Sequence, residues 1–253
     1  MIYEIKKLSF SRTWGETFKL YADNFIPLFS ISLVSSLPML FFSAPRIEVS
    51  RTGDPQVELL ELMMWMILLV TLNSLSLLFM LEYISKKFQG IHQNAGEYLT
   101  NLRPMLGSIV KLAIFTTMIV FLGMLAFIIP GIYAALTLSM AGGVMIVERK
   151  PVQLALIRSI WLTHNKKMEI FSYFLLLGII SIIVERGLSF LFTTMEPSSV
   201  TTKLQQLIGM CTQSLLAPIS ACLFILVYFN IRIEKENLKP EQKDNDSTQA
   251  SAE

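Results

Sequence analysis

Glu185 and Arg186 stand together inside an otherwise apolar run, and Ser181, Glu185 and Ser189 recur every four residues on one helical face. Such a polar stripe is what a small transporter or channel would present. Charged side chains within lipid cost free energy and are kept where they act. A functional face here would border a cavity open to the outer side. The competing reading is structural, because Glu185 lies about 22 Å along the helix from Ile170, close to the outer edge of a hydrocarbon core about 30 Å thick. There a long side chain reaches water and forms an interface or an ion pair.

Asn73 with Ser76, Thr71 with Ser74, and Gln213 with Ser220 place amides and hydroxyls nearer the middle of apolar runs. An amide at that depth requires a partner in protein or in trapped water. Such groups either bond one helix to another or line a wet path. The candidates for a substrate path are therefore Glu185, Ser181, Ser189, Asn73 and Gln213.

His92 and His164 lie in polar connections with no nucleophile or third partner at a recognisable spacing. Cys211 and Cys222 are eleven residues apart, about 16 Å along one helix, too far to bond each other. The sequence contains no Gly-rich phosphate loop, no HExxH and no GxSxG, and no carboxylate pair is placed to meet within the bilayer. We therefore expect no catalytic residue, no metal, no cofactor and no enzymatic activity.

These residues sit on long apolar blocks. The chain is 53% apolar and 16% charged, and its apolar residues gather in runs of around twenty. A bilayer core needs about 20 such residues per helix, which makes this an all-α polytopic membrane bundle. Six spans are expected, at 25–44, 60–81, 108–129, 131–147, 170–192 and 204–229. They form one integral membrane domain over 1–232. Residues 233–253 form a polar cytoplasmic tail whose composition suits disorder.

Lysines and arginines set the orientation, since basic residues beside span ends stay in the cytoplasm. Lys6, Lys7, Arg12 and Lys19 precede the first span, Lys86, Lys87 and Arg103 follow the second, Arg149 to Lys167 follow the fourth, and Arg232 to Lys243 follow the sixth. Both ends are thus expected in the cytoplasm. The net charge of +2 reflects this topology and carries no implication of nucleic-acid binding. Trp14, Phe18 and Tyr21 recur before the first span, and Leu154, Ile157 and Trp161 before the fifth, as faces of short interfacial helices. A weaker version covers 96–104. An interfacial helix followed by a transmembrane hairpin would then be used three times.

Ala135, Ser139 and Gly143 recur every four residues and form a strip on which another helix can approach closely. Helix packing within the chain, a homodimer face and a substrate passage all fit this strip. Pro130 and Gly131 leave almost no loop between spans three and four, so these form a tight hairpin. Pro38 and Pro218 should kink spans one and six.

The stretch 127–171, FIIPGIYAALTLSMAGGVMIVERKPVQLALIRSIWLTHNKKMEIF, resembles the YciC family of uncharacterised bacterial inner-membrane proteins. The likeness rests on Pro130 and Gly131, a span ending at Val147 and Glu148, and a helix with Arg158, Ser159, Leu162 and Thr163. Trp14, Phe18, Tyr21, Asn24 and Phe25 look like the opening of the same family. The region is also similar to membrane domains attached to some glycerophosphodiester phosphodiesterases, whose catalytic domain finds no room here. The resemblance implies a bacterial inner-membrane location and six helices, and brings no substrate, cofactor or active residue. The expected function is a non-enzymatic envelope protein that organises lipid, copies of itself or other inner-membrane proteins. A small transporter or channel is the alternative.

Overall fold

The computed structural model describes residues 8–37, 55–88, 97, 98, 100, 103–192 and 199–237, and all of its regular structure is helical. In chain order the helices are α1 (Phe10–Asp23), α2 (Phe25–Ser36), α3 (Pro55–Phe88), α4 (Leu106–Ala126), α5 (Ile128–Leu138), α6 (Ala141–Val147), α7 (Val152–Thr163), α8 (Lys167–Phe192) and α9 (Ser199–Asn237). Among the described residues five segments are long and apolar enough to cross a membrane: Ile67–Lys87, Arg103–Ala126, Ile128–Val147, Lys167–Leu188 and Leu207–Glu236. The expected first span is described only as the 12-residue α2, and residues 38–44 lie outside the described part. Of the weak amphipathic stretch at 96–104, residues 96, 99, 101 and 102 also lie outside it.

Of the five apolar segments the one in α9 is the most enclosed, with Ala221 to Tyr228 all buried. Its helix continues through the point where the sequence turns polar, and residues 233–237 are helical. Glu234 and Glu236 explain the extension, since they pair with Lys166, Arg158 and Arg232. Residues 238–253 lie outside the described part.

Along α9 runs α1, in the opposite direction. The Leu8 amide donates to Asn230 Oδ1 at 2.7 Å and the Asn230 amide donates back to the Leu8 carbonyl at 2.9 Å, while Tyr21 donates its hydroxyl to the Leu215 carbonyl at 3.1 Å. The two attachments lie about 20 Å apart on both helices, which sets them side by side. Trp14, Phe18 and Tyr21 are therefore divided. Trp14 is buried against the bundle, Tyr21 is half-buried, and Phe18 is 48% exposed. The inward face is completed by Thr13, Thr17 and Leu20.

The tight hairpin turns three residues earlier than Pro130 and Gly131 suggest. Phe127 alone is extended (φ −163°), and Pro130 falls in the first turn of α5, where its missing N–H leaves no bond unmade. The crossing of α4 and α5 depends on two glycines. A Cβ at Gly123 would stand 3.0 Å from the Gly131 Cα, and one at Gly131 would stand 2.8 Å from the Met124 backbone nitrogen.

The fourth expected span is broken at Ser139 and Met140 into α5 and α6. Ala141 to Ile146 are fully buried in α6. Gly142 and Gly143 admit it, since added Cβ atoms would lie 2.6 Å from Leu78 and 2.7 Å from the Tyr228 ring. Gly143 thus packs within the chain, while Ala135 and Ser139 are half-buried. The Ser159 and Thr163 hydroxyls both donate to the Thr137 carbonyl next to the break, at 2.8 and 3.2 Å, and so fix α7 on α5.

Candidate functional site

Three helices meet around a polar cavity of about 20 Å³. Ser32, Ser35 and Ser36 line it from α2, Leu72, Asn73 and Ser76 from α3, and Gln213 and Ala217 from α9. The Gln213 amide donates to Asn73 Oδ1 at 3.1 Å, and the Asn73 amide donates to the Leu69 carbonyl one turn back at 3.0 Å. Ser35 donates to the Ile31 carbonyl, while Ser36 donates to the Leu33 carbonyl and lies 3.0 Å from the Ser214 hydroxyl. The cavity adjoins Pro218, the proline inside α9. Proline has no N–H for the carbonyl four residues back, here Ser214, and crowds that turn. The Tyr21 hydroxyl compensates at the neighbouring Leu215 carbonyl, as neighbours do at proline breaks in membrane helices.

Asn73 and Gln213, read separately in sequence, thus form a bonded pair. Ser181, Glu185 and Ser189 belong to α8 and do not line this cavity. Ser181 is half-buried, Glu185 and Arg186 are exposed, and the Ser189 side chain lies outside the described part. Uncharged groups alone line the cavity, which therefore suits hydrogen bonding to a neutral partner. It offers no base, nucleophile or ligand set. Among the described residues no three His, Cys, Asp or Glu side chains converge as a metal site would require.

Opposite charges concentrate at one end of the bundle, about 14 Å along α3 from Asn73. Glu82, 1% exposed, accepts from Arg149 at 2.9 Å and lies 3.4 Å from Lys86. Arg149 also meets the Met105 sulfur, and its φ of 54° places it in the left-handed region, so this pairing is held on a strained turn. Glu148 meets Lys150 at 2.9 Å, Arg158 at 3.5 Å and Arg232 at 4.0 Å, and accepts from the Tyr228 hydroxyl at 2.9 Å. Burial works to raise the pKa of Glu148, but the hydrogen bonds from Lys150 and Tyr228, with Arg158 close by, outweigh it and the pKa is lowered. For Lys166, burial disfavours the charge, yet the bonds to Glu234 and Glu169 prevail and its pKa is raised. Arg158 and Lys235 also lie over the Trp161 ring, at 4.5 and 5.7 Å, and Lys167 over Tyr133 at 4.5 Å.

Sequence reasoning did not single out Glu82, Tyr228 or Asn230, and it noted Glu148 only as the end of a span. It also gave no role to the hydroxyls on the inward faces of α1 and α7, although a signal for them was present: Thr13 and Thr17 donate to the Ser9 and Thr13 carbonyls, while Ser159 and Thr163 reach Thr137 on α5. Arg12 is followed by Thr13 and Thr17, and Arg158 by Ser159 and Thr163, at identical spacing. Comparison with family models, curated proteins and solved structures gave no match to this chain.

Proposed function

We propose that this chain is a non-enzymatic multi-pass protein of the bacterial inner membrane that organises lipid or partner proteins, with six spans and both ends in the cytoplasm. The observation that carries this reading is the build of α7. Its Ser159, Leu162 and Thr163 face is anchored in the bundle, while Leu154, Ile157, Ile160 and Trp161 remain exposed beside Arg158 and Lys235. A rigid apolar face edged by cations and tryptophan is suited to the cytoplasmic membrane surface or to an apolar partner there. Phe10 and Phe18 extend the same character on α1. The likeness of 127–171 to the YciC family supports the location, and the lysines and arginines support the orientation.

The test is a chain carrying Ile157→Ser and Trp161→Ser, extracted in native-lipid nanodiscs beside the unaltered protein. Mass spectrometry of the washed particles should show a particular lipid or protein depleted from the variant, with yield and melting unchanged. An identical set of retained molecules would refute the reading.

The bonded Asn73–Gln213 pair favours a second reading, a pathway for small uncharged solutes. Vesicles containing the protein should then shrink and recover faster in water or glycerol gradients than empty ones, and Asn73→Leu should remove the difference. Equal rates in filled and empty vesicles would end this alternative.

A further inference from the structure

Two hydroxyls in the polar cavity have no hydrogen-bond partner among the described residues. Ser32 is 3% exposed and Ser76 is 8% exposed, and both line the cavity. Their neighbours differ, because Ser35 and Ser36 are bonded to carbonyls of their own helix and Asn73 and Gln213 are bonded to each other. Neither oxygen is sealed off as the unpartnered Ser85 and Thr117 hydroxyls are, so both open on the cavity, where a hydroxyl of a buried residue calls for a partner. Two of them on different helices, opening on one cavity, point to a partner that serves both.

We propose that this cavity is a binding site for one uncharged hydroxyl-type oxygen, which bridges Ser32 of α2 and Ser76 of α3 beside the Asn73–Gln213 pair. The cavity volume of about 20 Å³ exceeds the roughly 10–15 Å³ that a single water requires, and two to four polar partners suffice to hold one. A hydroxyl-type oxygen both donates and accepts, so it can satisfy two serines whichever way their protons point. No charged residue lines the cavity, which excludes an ion as occupant on grounds of desolvation. Water and the alcohol group of a membrane-soluble molecule supply the same chemistry. The site lies beside the turn where Pro218 removes a backbone bond from α9, and the bound oxygen ties α2 to α3 there.

The inference is independent of the organising role and is tested on the full chain with Ser32→Ala, Ser76→Ala and the double variant. Melting midpoints are read in native-lipid nanodiscs and again in detergent after exhaustive lipid removal. Each single change should lower the midpoint by about 2–4 °C. The double variant should lose less than the sum, because either loss already frees the bridging oxygen. Such coupling between side chains that do not touch identifies the bridge. Coupling in both preparations assigns the oxygen to water, and coupling in nanodiscs alone assigns it to a lipid alcohol. Ser30→Ala, whose hydroxyl bonds only the Ile26 carbonyl outside the cavity, should leave the midpoint unchanged. Additive effects, or midpoints raised by removal of the hydroxyls, would overturn the proposal and show a dry cavity.

Discussion

Glu148 collects Lys150, Arg158, Arg232 and the Tyr228 hydroxyl around one carboxylate, and so joins the α6–α7 turn to α7 and α9. Replacing it with glutamine leaves those cations without their shared counter-charge, and a loss of about 1–3 kcal/mol is expected at neutral pH. The pH dependence follows from the lowered pKa. The folded protein binds the proton less readily than the unfolded chain, whose carboxyl has the ordinary value of 4.5. The contribution is complete above that value and is lost as pH falls through the folded one. Melting of the natural protein and of Glu148→Gln should therefore differ above about pH 4.5 and converge as the pH falls below it. Equal melting at neutral pH would show the cluster to be solvated decoration. Residues of this kind were hard to see in sequence, because a glutamate at the end of an apolar run looks the same whether it faces water or three cations. Asn73 and Gln213 were legible individually, since an amide in an apolar run needs a partner, but not as a pair.

Among the elements, α5 and α6 show how far apolar patterning reaches. Their residues read as one span because hydropathy is continuous across Ser139 and Met140, and the break follows from what surrounds them. Hydroxyls of α7 occupy the Thr137 carbonyl, and α3 and α9 enclose α6. The small-residue strip was visible, whereas the partner of each residue was not. Gly143→Ala is expected to cost about 1–3 kcal/mol, because the new methyl would press on the flat of the buried Tyr228 ring. Gly178→Ala, with open space around it in α8, should be neutral or stabilising by up to about 1 kcal/mol. Thermal melting of the two variants separates close packing from simple helix propensity. Equal behaviour would contradict the tight approach of α6 to α9.

For the whole molecule, six apolar blocks of similar hydropathy gave no ranking, yet α9 is enclosed while α8 beyond Ile180 and the outer faces of α4 and α5 are largely uncovered. Rank of this sort arises from three-dimensional neighbours and leaves little trace in composition. The charged end of α9 contributes to the assembly through Glu234 and Glu236, in a stretch whose polarity alone suggested a tail. A chain ending at Ile233 should consequently melt several degrees below one ending at Asn237, with about 2–4 °C for each kcal/mol lost. Indistinguishable midpoints would mean that these pairs are screened by solvent.

The reciprocal bonds between Leu8 and Asn230 join positions 222 residues apart. At about 5–20 residues per second, a ribosome delivers the second partner roughly 10–40 s after the first. Through that interval α1 lacks its α9 contacts and has Tyr173 of α8, which stacks on Phe10 and bonds Thr13, so much of its buried face must wait in lipid or with an insertion factor. The seating of α1 is thus finished only when α9 is made. A message cut short before α9 would release a protein with Leu8 and Tyr21 undocked, which gives quality-control proteases a direct mark of incompleteness.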